Sequence, residues 1–131
     1  MEQIEVNTQT RKEFRDITAQ VQEVIRRSGV REGICYLFCP HTTAGLTVNE
    51  NYDPTVRQDL GMVLDQIAPD QFPYRHTEGN ADAHVKTSLV GSHLALFISE
   101  GRLVLGTWQG VFLAEFDGPR RRKVLVKVIP G

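Results

Sequence analysis

The stretch Leu94–Ile129, LALFISEGRLVLGTWQGVFLAEFDGPRRRKVLVKVI, decides the fold. It breaks into four β-like runs, LALFI, RLVLG, WQGVFLAEF and KVLVKVI, parted by Ser-Glu-Gly and Asp-Gly-Pro turns. Apolar runs bounded by such turn residues read as strands that follow one another closely. Upstream the period changes. Ile4 and Val6 alternate with polar neighbours, as in a half-buried strand. Ile17, Val21, Val24, Ile25 and Ser28 then share one helical stripe, and Gly29 supplies a left-handed stop, which predicts a helix over residues 12–28. Strand signals return at Ile34–Cys39 and Leu46–Val48. Asp53-Pro54 is a cap residue with proline at the first helical position, and opens a second helix to about Ala68, with Val56, Leu60, Val63, Leu64 and Ile67 on one face. Residues 69–79 lack a period and read as a long connecting loop. Asn80 stands where it can cap a third helix with Ala81, Val85 and Leu89 on its apolar side, although a strand reading of ADAHVKT stays open. Helices early and strands late predict one α+β domain with a mostly antiparallel sheet, two or three helices and a core that includes Val56, Leu60, Leu64, Val104 and Leu113.

At 131 residues the chain is long enough to bury a core without disulfide or metal staples. Its net charge of -1 provides no field that would draw it to nucleic acid or an anionic membrane, so any anion site must be local. No apolar run approaches the roughly 18 residues that span a bilayer, and the N-terminal segment lacks the apolar centre of a signal peptide; the expected location is the cytoplasm. Cys35 and Cys39 fall on one strand, about 13 Å apart at about 3.3 Å per residue, too far for a disulfide. Two buried free thiols fit a reducing compartment.

Histidine carries the most chemical potential. His41 follows a predicted strand, His76 lies in the loop and His84 opens the third helix, so three segments can bring imidazoles to one open metal site. Their spacing matches no zinc signature, and from spacing alone three separate surface or hydrogen-bonded histidines are the stronger account. His93, at a strand start, reads as structural. Among the carboxylates, Asp53 is explained by capping and Asp82 by the helix dipole. Glu50 has no local structural job and is the candidate general base. The basic turn Arg120-Arg121-Arg122-Lys123 is either a solvated hairpin end or, with the N-terminus of the helix at Asn80, a place for phosphate. Trp108 can stack on a planar ligand or sit in the core.

Taken together, HTTAGLTVNENYDPTVRQDL, HTEGNADAHVKTSLVG and GRLVLGTWQGVFLAEFDGPRRRKVLV resemble the YjbQ-like (UPF0047) family over about residues 4–128. The resemblance implies a curved antiparallel sheet, a homotrimer with sites near subunit contacts, and weak thiamine-phosphate synthase activity. That reaction joins a pyrimidine pyrophosphate to a thiazole phosphate and releases pyrophosphate. It also implies a site: His41, His76 and His84 on a divalent metal, zinc by the chemistry of imidazole, Glu50 and Asp117 as catalytic groups, and Asn80, Trp108, Gln109 and Arg120 on a phosphorylated small-molecule substrate. A phosphohydrolase would use the same parts, and a non-catalytic trimeric module that binds a metabolite or metal would look the same in sequence.

Overall fold

In the computed structural model, which describes residues Met1–Gly131, the chain runs β1 (Glu2–Asn7), β2 (Glu13–Asp16), α1 (Thr18–Ser28), β3 (Gly33–Phe38), β4 (Ala44–Glu50), α2 (Pro54–Ile67), α3 (Ala81–Val90), β5 (His93–Ser99), β6 (Arg102–Leu103), β7 (Gln109–Glu115) and β8 (Arg121–Pro130). The strands form two antiparallel sheets, one in the order β1-β8-β3-β5-β6 and one in the order β2-β7-β4. With three helices this is a single α+β domain. In β8, Arg122, Val124 and Val126 face inward while Arg121, Lys123 and Lys127 face out, the period of two that a half-buried strand requires. Helix α1 closes the core, laying Val21, Val24 and Ile25 among the inward residues of both sheets, including Leu37, Leu46, Leu113 and Val124. Each such side chain contributes about 1.5–3 kcal/mol by leaving water. Cys35 and Cys39 belong to this core as free thiols, and burial pushes both up to about 11.

Helix α1 starts later than its stripe suggests. Residues Glu13–Asp16 form β2 instead, where Phe14 pairs with Ala114 of β7, and Asp16 accepts the N–H and hydroxyl of Thr18 to begin the helix there. Helix α2 starts as expected, with Asp53 accepting the Thr55 N–H.

The second and third helices depart from expectation in their burial. None of the fourteen residues of α2 is buried: Val56, Leu60 and Leu64 are half-buried, and Met62 and Ile67 are 56% and 60% exposed. Of the expected core, Leu113 is fully buried, whereas Val104 lies on the surface. In α3, Val85 and Leu89 face outward and the buried side carries Asp82 and Lys86. Charge explains this choice. The Lys86 ammonium donates to Asp82 Oδ2 at 3.0 Å and Asp65 Oδ1 at 2.7 Å, so Asp82 is one half of a buried ion pair rather than only a complement to the helix dipole.

Candidate functional site

Strand β7 runs the length of the smaller sheet, and its two ends divide the residues selected from the sequence. Register fixes the division: Glu50 pairs with Gln109 and Ala44 with Glu115, about 20 Å apart along β7 at about 3.4 Å per residue.

The Glu115 end rests on a buried ion pair. Glu115 is fully buried, and its carboxylate accepts two hydrogen bonds from Arg122, one from the Asp117 N–H and one from the Thr8 hydroxyl. Burial pushes this carboxyl up, but the hydrogen bonds from Arg122, the Asp117 N–H and Thr8 outweigh it and hold the group below the usual carboxylate range. Two residues on, the Asp117 carboxylate accepts from Asn80 Nδ2 at 2.9 Å and from Arg120 Nη2 at 2.8 Å, with the Arg11 guanidinium 3.7 Å away. Asn80 therefore occupies the cap position of α3 without capping it by its side chain; it spends its amide on Asp117, and its buried Oδ1 has no partner. Arg120 also donates from Nε to the Asp117 carbonyl, so its guanidinium is half committed within the chain.

The three histidines border this end. His76 and His84 meet edge to face, ring centroids 5.2 Å apart, and His76 Nε2 lies 3.8 Å from Glu78. His84 and His41 both line a hollow of about 440 Å³, with Thr42, Thr87, Ser88, Gly91 and Ser92 completing a wall that has no aliphatic or aromatic hydrocarbon side chain. Thr87 is buried and its hydroxyl has no partner. His41 is pinned: its Nε2 accepts the Lys123 N–H at 3.0 Å, while burial and the nearby Arg122 charge hold the ring below its ordinary pKa, in the neutral form. His41 thus already spends its Nε2 lone pair on backbone, whereas His76 and His84 face one another. No three histidine, cysteine or carboxylate side chains stand close enough together to enclose an ion.

The opposite end holds Glu50, Trp108 and Gln109. Glu50 has a structural job after all, accepting the Asp53 N–H at 3.1 Å where α2 begins. Gln109 closes its own turn through the Gly106 N–H, and Trp108, 56% exposed, leans on Tyr52 at 5.3 Å. Within one chain, then, Glu50 is not adjacent to the histidines. His93 stacks on Tyr36 with rings 5.8 Å apart, in keeping with a structural role.

Sequence reasoning passed over Lys86, Asp65 and Lys12. Lys12 Nζ and Lys86 Nζ both reach Asp65 Oδ1, at 2.8 and 2.7 Å. Part of the signal was present, because Asp82 and Lys86 are spaced i,i+4.

An antiparallel α+β domain with a histidine-bordered hollow at one sheet end defines a class that comparison with known proteins narrows. A family model described as UPF0047 protein YjbQ-like matches residues 2–131, and the chain belongs to that family. It is 48% identical over 125 residues to a UPF0047 protein of Methanocaldococcus jannaschii, covering 95% of this chain and 91% of the relative. It is 42% identical over 127 residues to UPF0047 protein YugU of Bacillus subtilis, covering 96% of each. Among solved structures, a YjbQ/UPF0047 family protein of Clostridium acetobutylicum superposes with a TM-score of 0.96 at 48% identity, over 98% of this chain and 100% of the other. A YbjQ-like protein of Sulfolobus solfataricus gives 0.94 at 33% identity, over 99% and 96%. No helix is long and apolar enough to cross a membrane.

Proposed function

We propose that the protein is an enzyme that acts on a phosphorylated small molecule in the hollow between His41 and His84, with a divalent metal, zinc by donor chemistry, held in part by His76 and His84. The observation that carries the reading is the contact between these two imidazoles, 5.2 Å apart, beside a polar hollow. Such a cation would neutralise phosphate charge as it develops on a leaving group. Because His41 is held by the Lys123 N–H, we assign it to the wall of the hollow and to hydrogen bonding with substrate. Arg120 and Arg11, flanking Asp117 near the start of α3, are the cations available to a phosphate that displaces the carboxylate contact. Weak thiamine-phosphate synthase activity is the specific transformation we attach to this site, in a cytoplasmic homotrimer that can bring the Glu50 end of one copy to the histidines of another.

The test uses protein purified without a histidine tag. Elemental analysis and zinc titration of wild type and His84→Ala come first; the variant should bind zinc at least tenfold more weakly. Incubation with the pyrimidine pyrophosphate and thiazole phosphate should release pyrophosphate, and less of it in His84→Ala. Zinc bound equally by both proteins would remove His84 from the site, and no product at any metal loading would end the synthase reading. A second reading, a non-catalytic metabolite- or metal-binding module, is favoured by the committed lone pair of His41. Zinc binding without turnover of these substrates or of simple phosphate esters would select it, and ester hydrolysis alone would select a phosphohydrolase.

A further inference from the structure

Helix α3 has two chemical faces. His84 and Ser88 look into the hollow already described, while Lys86, about 200° around the helix from His84 at 100° per residue, lines a separate cleft and pairs there with the buried Asp82 behind it. That cleft, about 740 Å³, opens between α2 and the strands β2 and β7, a volume typical of small-molecule sites. Its walls include Phe14 and Phe116, which meet edge to face at 6.3 Å, and Met62 of α2.

The charges lining the cleft are unequal in what they have left to offer. All three carboxylates are already answered by the protein: Asp65 by Lys12 and Lys86, Glu115 by Arg122, and Glu13 by the N–H groups of Gln9 and Thr10. On the cationic side Arg57 forms no ion pair; its guanidinium lies over the Phe112 ring, 5.3 Å from the centroid. Lys12 and Lys86 converge on a single oxygen, Asp65 Oδ1, and Lys12 also reaches Asp70 Oδ1 at 3.2 Å. Lys86 has two acceptors for its three N–H groups and lines the cleft although its side chain is only 1% exposed.

Gly61 adds an independent sign. It sits inside α2, where glycine is the least favourable residue short of proline, and it lines the cleft. No crowding demands it: a Cβ there would meet only the Phe14 ring, at 4.0 Å, an ordinary contact. The missing methyl widens the cleft between α2 and Phe14 and serves no packing need of the chain.

We propose that the cleft beneath α2 is a second ligand site, independent of the reading of the histidine hollow. It takes a small aromatic oxyanion, ring against Phe14 and Met62 and anionic group toward Arg57, Lys12 and Lys86. Phenyl phosphate and benzoate, titrated separately into isotopically labelled protein and followed by amide NMR, test it. At least one should shift the amides of Gly61, Met62 and Phe116 together in a saturable way, and the tighter of the two identifies the anion as phosphate or carboxylate. Benzyl alcohol, which keeps the ring and lacks the charge, should leave them unmoved. Arg57→Gln should weaken binding about tenfold or more, and Arg26→Gln, on the exposed side of α1, should not. Gly61→Ala should raise Tm by a few degrees through helix propensity while weakening the same binding. The proposal is overturned if neither anion moves the cleft amides, if Arg57→Gln binds as wild type, or if Gly61→Ala leaves affinity unchanged. Shifts confined to residues around His41 and His84 would overturn it too, while leaving the other site intact.

Discussion

Helices α1 and α2 look alike in sequence, each with a stripe of aliphatic residues, yet the regions beneath them are opposites. Under α1 lies an apolar core where Val21, Val24 and Ile25 are almost wholly excluded from solvent. Under α2 lies a cleft bordered by Lys12, Asp65, Lys86 and Glu115, and no residue of the helix is fully buried, Leu64 alone packing against the small cluster of Ala83, Ala114 and Phe116. Periodicity therefore reports that a stripe exists and is silent on whether this chain covers it. Charge also ties α2 to the body, Asp65 receiving an ammonium from β2's leading edge and another from α3.

The largest expected effect falls on the ionic side. Arg122→Met strands the fully buried Glu115 without its cation and should cost about 3–5 kcal/mol in urea unfolding; a loss under about 1 kcal/mol would mean that the charge is easily rehydrated. On the apolar side, Ile25→Ala should cost about 2–5 kcal/mol. Its counterpart Ile67→Ala on α2 should stay within about 0.5 kcal/mol, the usual range for a surface change. Equal losses at Ile25 and Ile67 would break the contrast and, with a sedimentation measurement showing an assembly that the variant disrupts, would mean that a second copy covers α2.

Acidity sharpens the contrast further. Glu115 has a folded pKa below its unfolded one, so its contribution is complete above the unfolded value of about 4.3 and disappears as pH falls through the folded value. The urea midpoint should hold between pH 6 and 8, fall below about pH 4.3, and fall less steeply in Arg122→Met. The smallest effect concerns the thiols. With Cys35 and Cys39 raised to about 11, native protein at pH 7.5 should resist iodoacetamide for hours and react at both positions once unfolded. Rapid labelling of native protein would show that the region beneath α1 opens as readily as the one beneath α2.

Much of the scaffold was legible because its signals are local. Gly29 with φ of 73° ends α1, and Asp53-Pro54 starts α2, both within a few residues of the features they control. Strand β2 was hidden because Glu-Phe-Arg-Asp has no alternation of its own; it is a strand only because β7 pairs with it nearly a hundred residues away. The site divided in the same way. The i,i+4 spacing of Asp82 and Lys86 was visible, but their burial depends on Asp65 in another helix. The Lys123 N–H on His41 joins two distant segments through a main-chain donor, which no side-chain motif can encode.

The strand order carries a consequence for the making of the molecule. Strand β8 lies between β1 and β3, and both pair with it along most of their length. While a ribosome is still extending the chain, β1 and β3 are complete but their shared neighbour does not exist, so each presents an unpaired edge open to other nascent chains. The five-stranded sheet can close only after residues 121–130 have cleared the exit tunnel. Folding of this domain is thereby tied to the end of translation of these residues, and truncation within β8 should yield material that aggregates rather than a partly folded intermediate.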